Sequence, residues 1–245
     1  MNAILEGKVV LITGASKGIG KALALGFAMA GASVACAART KESLDSTVSE
    51  IHAKEGQALA IVADVTDEAA VQRMVQTTVA HFGGLDILIL NAGGSFDAQP
   101  VAESDTDNWR RTVELNLTGA YYCAKAAIPH LRQRGAGKII TIGSGLGHRG
   151  IAGRSAYACA KAGLWMLTRV LAQELQADNI SVNELIPGPV DTGAISEAFR
   201  RQVLDKQHEW MKQPEDVVPL ALFLTSQPDI GPTAQSFSLM RRDNG

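Results

Sequence analysis

Apolar residues fall along this chain in two alternating rhythms. Short β-branched runs at 8–13, 33–37, 58–62, 86–90, 138–143 and 180–186 are apolar along their length and have the length of strands. Between them lie longer stretches with apolar residues at helical spacing, at 19–30, 41–54, 67–81, 104–131 and 154–178. Strands that do not alternate belong to a parallel sheet covered on both faces, since a sheet with one wet face would show period two. Strand–helix alternation at this period predicts a doubly wound α/β fold with helices on both faces of the sheet. No linker, low-complexity stretch or solenoid-period repeat interrupts the pattern, so residues 1–245 read as a single domain. The stretch 188–213 stands apart. It follows a strand, starts from Pro187-Gly188-Pro189 and carries only weak helical periodicity at 194–210. Ligands of open α/β sheets bind beyond the carboxyl ends of the strands, so this insertion reads as a lid, with an ordinary surface helix as the alternative.

Composition narrows what such a fold can do. The chain is 46% hydrophobic and 20% charged with a net charge of -2, a globular balance without the basic surplus that a nucleic acid partner demands. No apolar run approaches the roughly 18 residues of a membrane span. The first residues, Met1 to Lys8, lack a basic segment followed by an apolar one, so no secretory signal is expected. The three cysteines, Cys36, Cys123 and Cys159, are odd in number and have no metal-ligand spacing. A soluble, cytoplasmic protein without disulfides and without a metal site is the expectation.

Two clusters carry the candidate chemistry. Thr13-Gly14-Ala15-Ser16-Lys17-Gly18-Ile19-Gly20 joins the first strand to the first helix. Gly14 permits a tight turn, Gly18 lets backbone approach a pyrophosphate and Gly20 allows close helix–sheet packing, while the helix N-terminus offers unpaired N–H groups to phosphate. A plain glycine turn is the other reading. Asn91-Ala92-Gly93 follows the strand 86–90, where small residues let an adenosine or ribose lie against the sheet edge. In the second cluster, Tyr157 and Lys161 are four residues apart on a helix and share one face. An ammonium beside a phenol favours phenolate and brings the tyrosine toward the range of a general acid or base. The pair could also stand on an amphipathic helix by chance, but the stretch 155–163 is otherwise small and uncharged, as a surface against a ligand would be. Ser144 closes the strand 138–143 at the same sheet edge.

Taken in order, these motifs resemble the short-chain dehydrogenase/reductase family, in its branch of about 250 residues, and its 3-oxoacyl-carrier reductases in particular. The matches are Thr13 to Gly20, Asp64-Val65, Asn91-Ala92-Gly93, Asn116, Ser144, Tyr157, Lys161 and Pro187-Gly188-Pro189-Val190-Asp191-Thr192. The resemblance implies a Rossmann fold with a sheet of about seven strands. It implies Tyr157 as general acid and base, Lys161 on the nicotinamide ribose, Ser144 on the substrate oxygen and Asn116 anchoring a water in a proton relay. It assigns the cofactor to Gly14, Ser16, Lys17, Gly18, Ile19 and Gly20, to Asp64 and Val65 near the adenine, to Asn91, Ala92 and Gly93, and to Pro187, Gly188, Val190 and Thr192 over the nicotinamide. It also implies a homotetramer built on the helices 104–131 and 154–178, which carry surplus apolar residues such as Ala120, Tyr121, Trp165, Met166 and Leu167.

Cofactor choice is read at the end of the second strand. Ala38 stands where NAD-selective members carry an acid, and Arg39 follows it, a residue able to grip a 2′-phosphate with Lys17 as a second charge. NADP(H) is therefore expected over NAD(H), although Arg39 and Lys41 also read as solvated charges. Substrate candidates are Gly94, Ser95, Phe96, Leu146, His148, Arg149, Arg154 and the lid positions Ile195 and Phe199. His148 and Arg149 can meet an anionic substrate or stand on a solvated loop. Two features depart from the family pattern: the end of the chain, 235–245, and Gly143 in place of the first serine of a Ser-Ser pair. The function expected is interconversion of a ketone or aldehyde and an alcohol, a 3-oxoacyl thioester included. A cofactor-binding sensor or interaction protein on the same fold is the alternative.

Overall fold

The computed structural model describes residues 3–193 and 210–240. Ile195, Phe199 and most of the lid stretch therefore lie outside the described residues, as does the tail 241–245. Seven strands form one sheet in the order β3-β2-β1-β4-β5-β6-β7. They are β1 (Val9–Thr13), β2 (Ser33–Ala38), β3 (Gln57–Val62), β4 (Ile87–Leu90), β5 (Gly137–Ile142), β6 (Ile180–Ile186) and β7 (Ser236–Ser238). Every pairing is parallel. β1, β4, β5 and β6 are buried at every position, whereas the edge strands β3 and β7 are partly exposed. This explains the non-alternating sequence runs: a strand with a helix on each face has no wet side.

One face is covered by α3 (Glu68–Phe82), α5 (Gly119–Gln133) and α6 (Ser155–Glu174), which pack Met74, Ala124, Leu131 and Leu171 onto Leu11, Leu88 and Ile139. The other is covered by α1 (Gly18–Met29), α2 (Lys41–His52) and α7 (Val218–Thr225), which pack Phe27, Leu44 and Leu224 onto Val10, Ile12 and Ile89. The architecture is the doubly wound Rossmann arrangement. Helix α7 was not foreseen because its sequence, VPLALFLT, is apolar on every side and shows no period. It seats against α1 where Gly26 has no side chain; a Cβ there would lie 2.3 Å from Val218 Cγ1. The expected helix 104–131 divides into α4 (Thr106–Val113), a π turn (Glu114–Thr118) and α5. Among the described residues no helix is long and apolar enough to cross a membrane.

The chain winds from β1 outward through β2 and β3, then returns to lay β4 against the other side of β1. The crevice at this reversal opens at the carboxyl ends of β1 and β4, where ligands of such sheets bind. The opposite end of the same two strands is locked by Asp86. Its carboxylate accepts from Val9 N at 2.9 Å and from Arg134 Nε and Nη2 at 3.1 and 2.9 Å, with Lys8 at 3.8 Å. Asp86→Ala is expected to lower unfolding free energy by about 2–3 kcal/mol, read from urea denaturation. That is below the full loss for a buried pair because the Arg134 side chain is 36% exposed.

Candidate active site

The glycine turn follows β1 and is held by the neighbouring strand. Thr13 Oγ1 donates to Ile89 O and accepts from the backbone N–H groups of Asn91 and Ala92, both at 3.0 Å. Asn91 Nδ2 donates to Thr13 O at 2.8 Å and to Gly14 O at 3.3 Å. The Asn91 side chain is thus engaged in clamping the two strand ends and acts on a ligand through the turn it shapes. Gly14 has φ +70°, a left-handed conformation that a side chain rarely adopts. Gly20 is the point of closest packing: a Cβ there would lie 2.1 Å from Gly14 O and 2.5 Å from Asn91 Nδ2. Beyond the turn, α1 follows Lys17, which makes no side-chain cap, and has no acid in its first turn. An uncapped helix N-terminus above a glycine cradle fits the diphosphate of a dinucleotide.

Flanking the turn are the other residues singled out from the sequence. Ala38 ends β2, and Arg39 beside it reaches Asp64 Oδ2 at 3.9 Å, the two side chains being 61% and 39% exposed. An exposed pair at that distance holds little energy, so the guanidinium can turn to a ligand. Asp64 Oδ1 is occupied by Thr66 N and Oγ1, at 3.0 and 2.8 Å. Val65 is buried against α5, where a Cβ on Gly119 would lie 2.9 Å from it. Lys17 is exposed, while Ser16 and Ile19 are partly buried. The loop after β6 arches back over the turn: a Cβ on Gly18 would lie 3.0 Å from Thr192 Cβ. Within that loop Pro187 and Val190 are buried, and Gly188 has φ +69°.

The second cluster assembles at the end of β5. Ser144 follows the strand and accepts from Leu146 N at 3.2 Å. Helix α6 brings Tyr157 and Lys161 to it, with Lys161 Nζ 5.6 Å from the phenol ring centroid and donating to Ile142 O at 2.8 Å. Burial pushes the Tyr157 phenol above its ordinary range, and the hydrogen-bonding influence of Ser144 and the charge of Arg154 pull it back only partly. The lowering expected from Lys161 does not prevail, because loss of solvent disfavours phenolate more than its neighbours favour it. Burial acts on Lys161 in the opposite sense and brings its ammonium down to about 8, with the Glu184 carboxylate opposing that fall.

Asn116 sits in the π turn, fully buried. Its Oδ1 accepts from Gly94 N at 3.2 Å, and its Nδ2 donates to Gly94 O at 2.6 Å and to Thr112 O at 2.8 Å. These bonds pin the loop after β4 to the helix. A Cβ on Gly93 would lie 2.6 Å from Asn116 Oδ1 and 3.5 Å from Lys161 Nζ, so the loop, the π turn and the catalytic candidates meet at that glycine. Of the substrate candidates, Arg111 covers the Phe96 ring at 4.3 Å, Arg154 starts α6 and His148 reaches inward to Glu184 at 2.9 Å. Sequence reasoning missed two buried charges here. Glu184 is in the middle of β6, and Lys212 pairs its backbone with Pro189 and Asp191 beneath the arching loop. A charge in the middle of a strand-length run was the available signal for Glu184; for Lys212 there was none.

A chain with this turn, this clamp and this tyrosine–lysine pair has a recognisable class. The short chain dehydrogenase family profile matches residues 8–203. The chain is 36% identical over 235 residues to the 3-oxoacyl-[acyl-carrier-protein] reductase of Thermotoga maritima, spanning 94% of this chain and 95% of that protein. A short-chain type dehydrogenase/reductase from Mycobacterium marinum superimposes with a TM-score of 0.90 at 34% identity, over 96% of this chain and 95% of that one. A 7α-hydroxysteroid dehydrogenase complexed with NADH and 7-oxo glycochenodeoxycholic acid gives a TM-score of 0.91 at 31% identity, over 98% and 95%. The chain belongs to the short-chain dehydrogenase/reductase family and is an NAD(P)-dependent oxidoreductase of CH–OH and C=O groups.

The contact at Gly20 is directly testable. Gly20→Ala is expected to displace Gly14 or Asn91, lowering stability by about 1–3 kcal/mol and weakening dinucleotide binding at least about ten-fold. Thermal denaturation and cofactor fluorescence titration read the two effects.

Proposed function

We propose that this protein is an NADP(H)-dependent carbonyl reductase or alcohol dehydrogenase with Tyr157 as its general acid and base. The observation that carries the reading is the convergence of Ser144, Tyr157 and Lys161 at the end of β5, beside a glycine cradle built for a diphosphate. The nicotinamide, when bound, supplies or accepts the hydride. The chain's own residues handle the proton and the charge. Tyr157, kept a neutral phenol by burial, donates its proton to the carbonyl oxygen in reduction and recovers it in oxidation. Ser144 donates a hydrogen bond to the same oxygen as its charge develops. Lys161 holds the nicotinamide ribose and lends positive charge to the phenol as it ionises. Asn116 positions the loop against which the ribose lies through its hydrogen bonds to Gly94 and Thr112, and from the same place anchors a water of the proton relay.

The turn Gly14 to Gly20, with Ser16, Lys17, Gly18 and Ile19 between, takes the diphosphate. Asp64 and Val65 flank the adenine, Asn91 to Gly93 the adenosine ribose, and Pro187, Gly188, Val190 and Thr192 the nicotinamide. Arg39 supports NADP(H) over NAD(H), since no acid ends β2 and the guanidinium is exposed with only a weak tie to Asp64. The substrate is a small carbonyl compound or its alcohol, and likeness to the Thermotoga maritima reductase supports 3-oxoacyl thioesters as the first class to assay. Three cysteines without disulfide partners suit the cytoplasm. Tyr121 on α5, with Met166 and Val170 on α6, is exposed and supports a homotetramer through these helices, whereas Ala120 is part of the core.

Tyr157→Phe is expected to bind NADPH as the parent does while turnover falls by about 10²–10⁴-fold. A variant that still turns over would remove Tyr157 from the chemistry. Arg39→Asp is expected to move catalytic efficiency from NADPH toward NADH; parity of the two cofactors in the parent protein would overturn the reading of Arg39. Light scattering at micromolar concentration is expected to give about four times the 25.9 kDa chain mass, and a single-chain mass would refute the tetramer.

A further inference from the structure

Strand β6 is buried at every position, yet its centre carries a carboxylate. Glu184 is 0% exposed. Removing a carboxylate from water is costly unless charge and hydrogen bonds replace the lost solvent. One oxygen is provided for: Oε2 lies 2.9 Å from His148 Nε2 and accepts from Ser236 Oγ. The other, Oε1, has no hydrogen-bond partner among the described residues. It is packed against the backbone of Gly143, where a Cβ would lie 1.9 Å from it.

Gly143 stands between two parts of the active site. Ile142 before it supplies the carbonyl that receives Lys161 Nζ, and Ser144 after it supplies the hydroxyl near Tyr157. The same contact accounts for the departure from the Ser-Ser pair: a side chain at 143 and a carboxylate at 184 cannot share this space. The charged and titratable groups around the two residues come from several elements. Lys161 is faced by Tyr157 on its own helix and lies within reach of the charge of Glu184 from β6, the two meeting either side of the Ile142–Gly143 backbone. Glu184 is faced by His148 from the loop after β5, by Ser236 from β7 and by Lys161 from α6. Among the described residues, Lys212 is a further cation at this end of β6, its Nζ lying 3.1 Å from where a Cβ on Gly188 would stand, and Arg154 acts on Tyr157 from the start of α6.

We propose that Glu184 is a positioning residue of the active site: its buried carboxylate is the counter-charge of Lys161, held by His148 and Ser236 against the strand end that presents Ser144. The proposal rests on the reading of Lys161 and Tyr157 above and adds the residue that maintains Lys161 as an ammonium. A purely structural role would hold the His148 loop without affecting the ionisation of Lys161. The two are separated by the pH dependence of cofactor binding, which needs no turnover.

The sign follows from the charges. Lys161 loses its proton as pH rises through about 8, so NADPH affinity in the parent protein is expected to hold below that value and fall above it. Removing a nearby negative charge makes the ammonium harder to keep. In Glu184→Gln the fall is expected to move down by about one pH unit, raising the dissociation constant about five-fold near pH 8 and leaving it unchanged near pH 6. The measurement is NADPH fluorescence titration of the full chain from about pH 6 to about pH 10. Should Glu184→Gln fold poorly, the double variant Gly143→Ser/Glu184→Ala fills the vacated space and is expected to show the same displacement, whereas Gly143→Ser alone is expected to be destabilised. A midpoint that stays at the parent value in whichever of these proteins folds overturns the proposal. Tyr157→Phe run alongside keeps the two readings apart. Its retained turnover would sink the acid–base assignment, while an unmoved midpoint in Glu184→Gln beside an inactive Tyr157→Phe sinks the role of Glu184 alone.

Discussion

The clamp between the ends of β1 and β4 is the constraint on which the rest of the site depends. Parallel strands that leave a switch point in opposite directions open a crevice there, and nothing in the sheet ladder itself closes it. Thr13 and Asn91 bridge the gap with a hydroxyl that donates once and accepts twice and an amide that donates to two carbonyls. These bonds set the position of Gly14 O, against which Gly20 packs, and so aim the uncapped N-terminus of α1. The loop continuing from Asn91 is then tied by Asn116 to the π turn. Asn116 sits in that widened turn, and its side chain also donates to Thr112 O one turn back.

Burial sets the electrostatics of the reacting end. Tyr157 and Lys161 are both withdrawn from water, and loss of solvent favours the neutral form of each: the phenol rises and the ammonium falls. The two groups are thereby driven apart, the phenol holding its proton more firmly and the ammonium less firmly than in water. The low dielectric that does this also lengthens the reach of Glu184, whose charge would be screened at the surface. Ser144 stands within this setting at the strand end, where its hydroxyl accepts from Leu146 N.

The far end of the crevice is wetter and looser. Arg39 and Asp64 are exposed and weakly paired, which suits recognition of a charged group that arrives with its own hydration. Between the two ends, Thr192 touches Gly18 and Met240 lies against Gly145 and Gly188, so the loop after β6 and the segment after β7 both converge on the pocket. The unusual chain end thus bears on the loops after β5 and β6 through Met240.

Most of the architecture was legible in the sequence because burial on both faces leaves a direct trace. Central strands come out as near-continuous apolar runs, as in β1 and β4, and covering helices show a single apolar stripe, as in α3. Helix α7 left no such trace, being apolar all round, and the π turn at Asn116 could not be told from the helix on either side of it. The positions of Gly14, Ser144, Tyr157 and Lys161 were legible because each sits at a local landmark: a turn, a strand end, or one helix face. What only the tertiary structure decided is which side chains become partners across long stretches of chain. It committed Asn91 to a clamp, turned Tyr157 upward by burial instead of downward by Lys161, and set Glu184 against Gly143. Local spacing sets which face a residue occupies. Solvent exclusion and distance between elements, which decide charge and pairing, exist only once the sheet has closed around them.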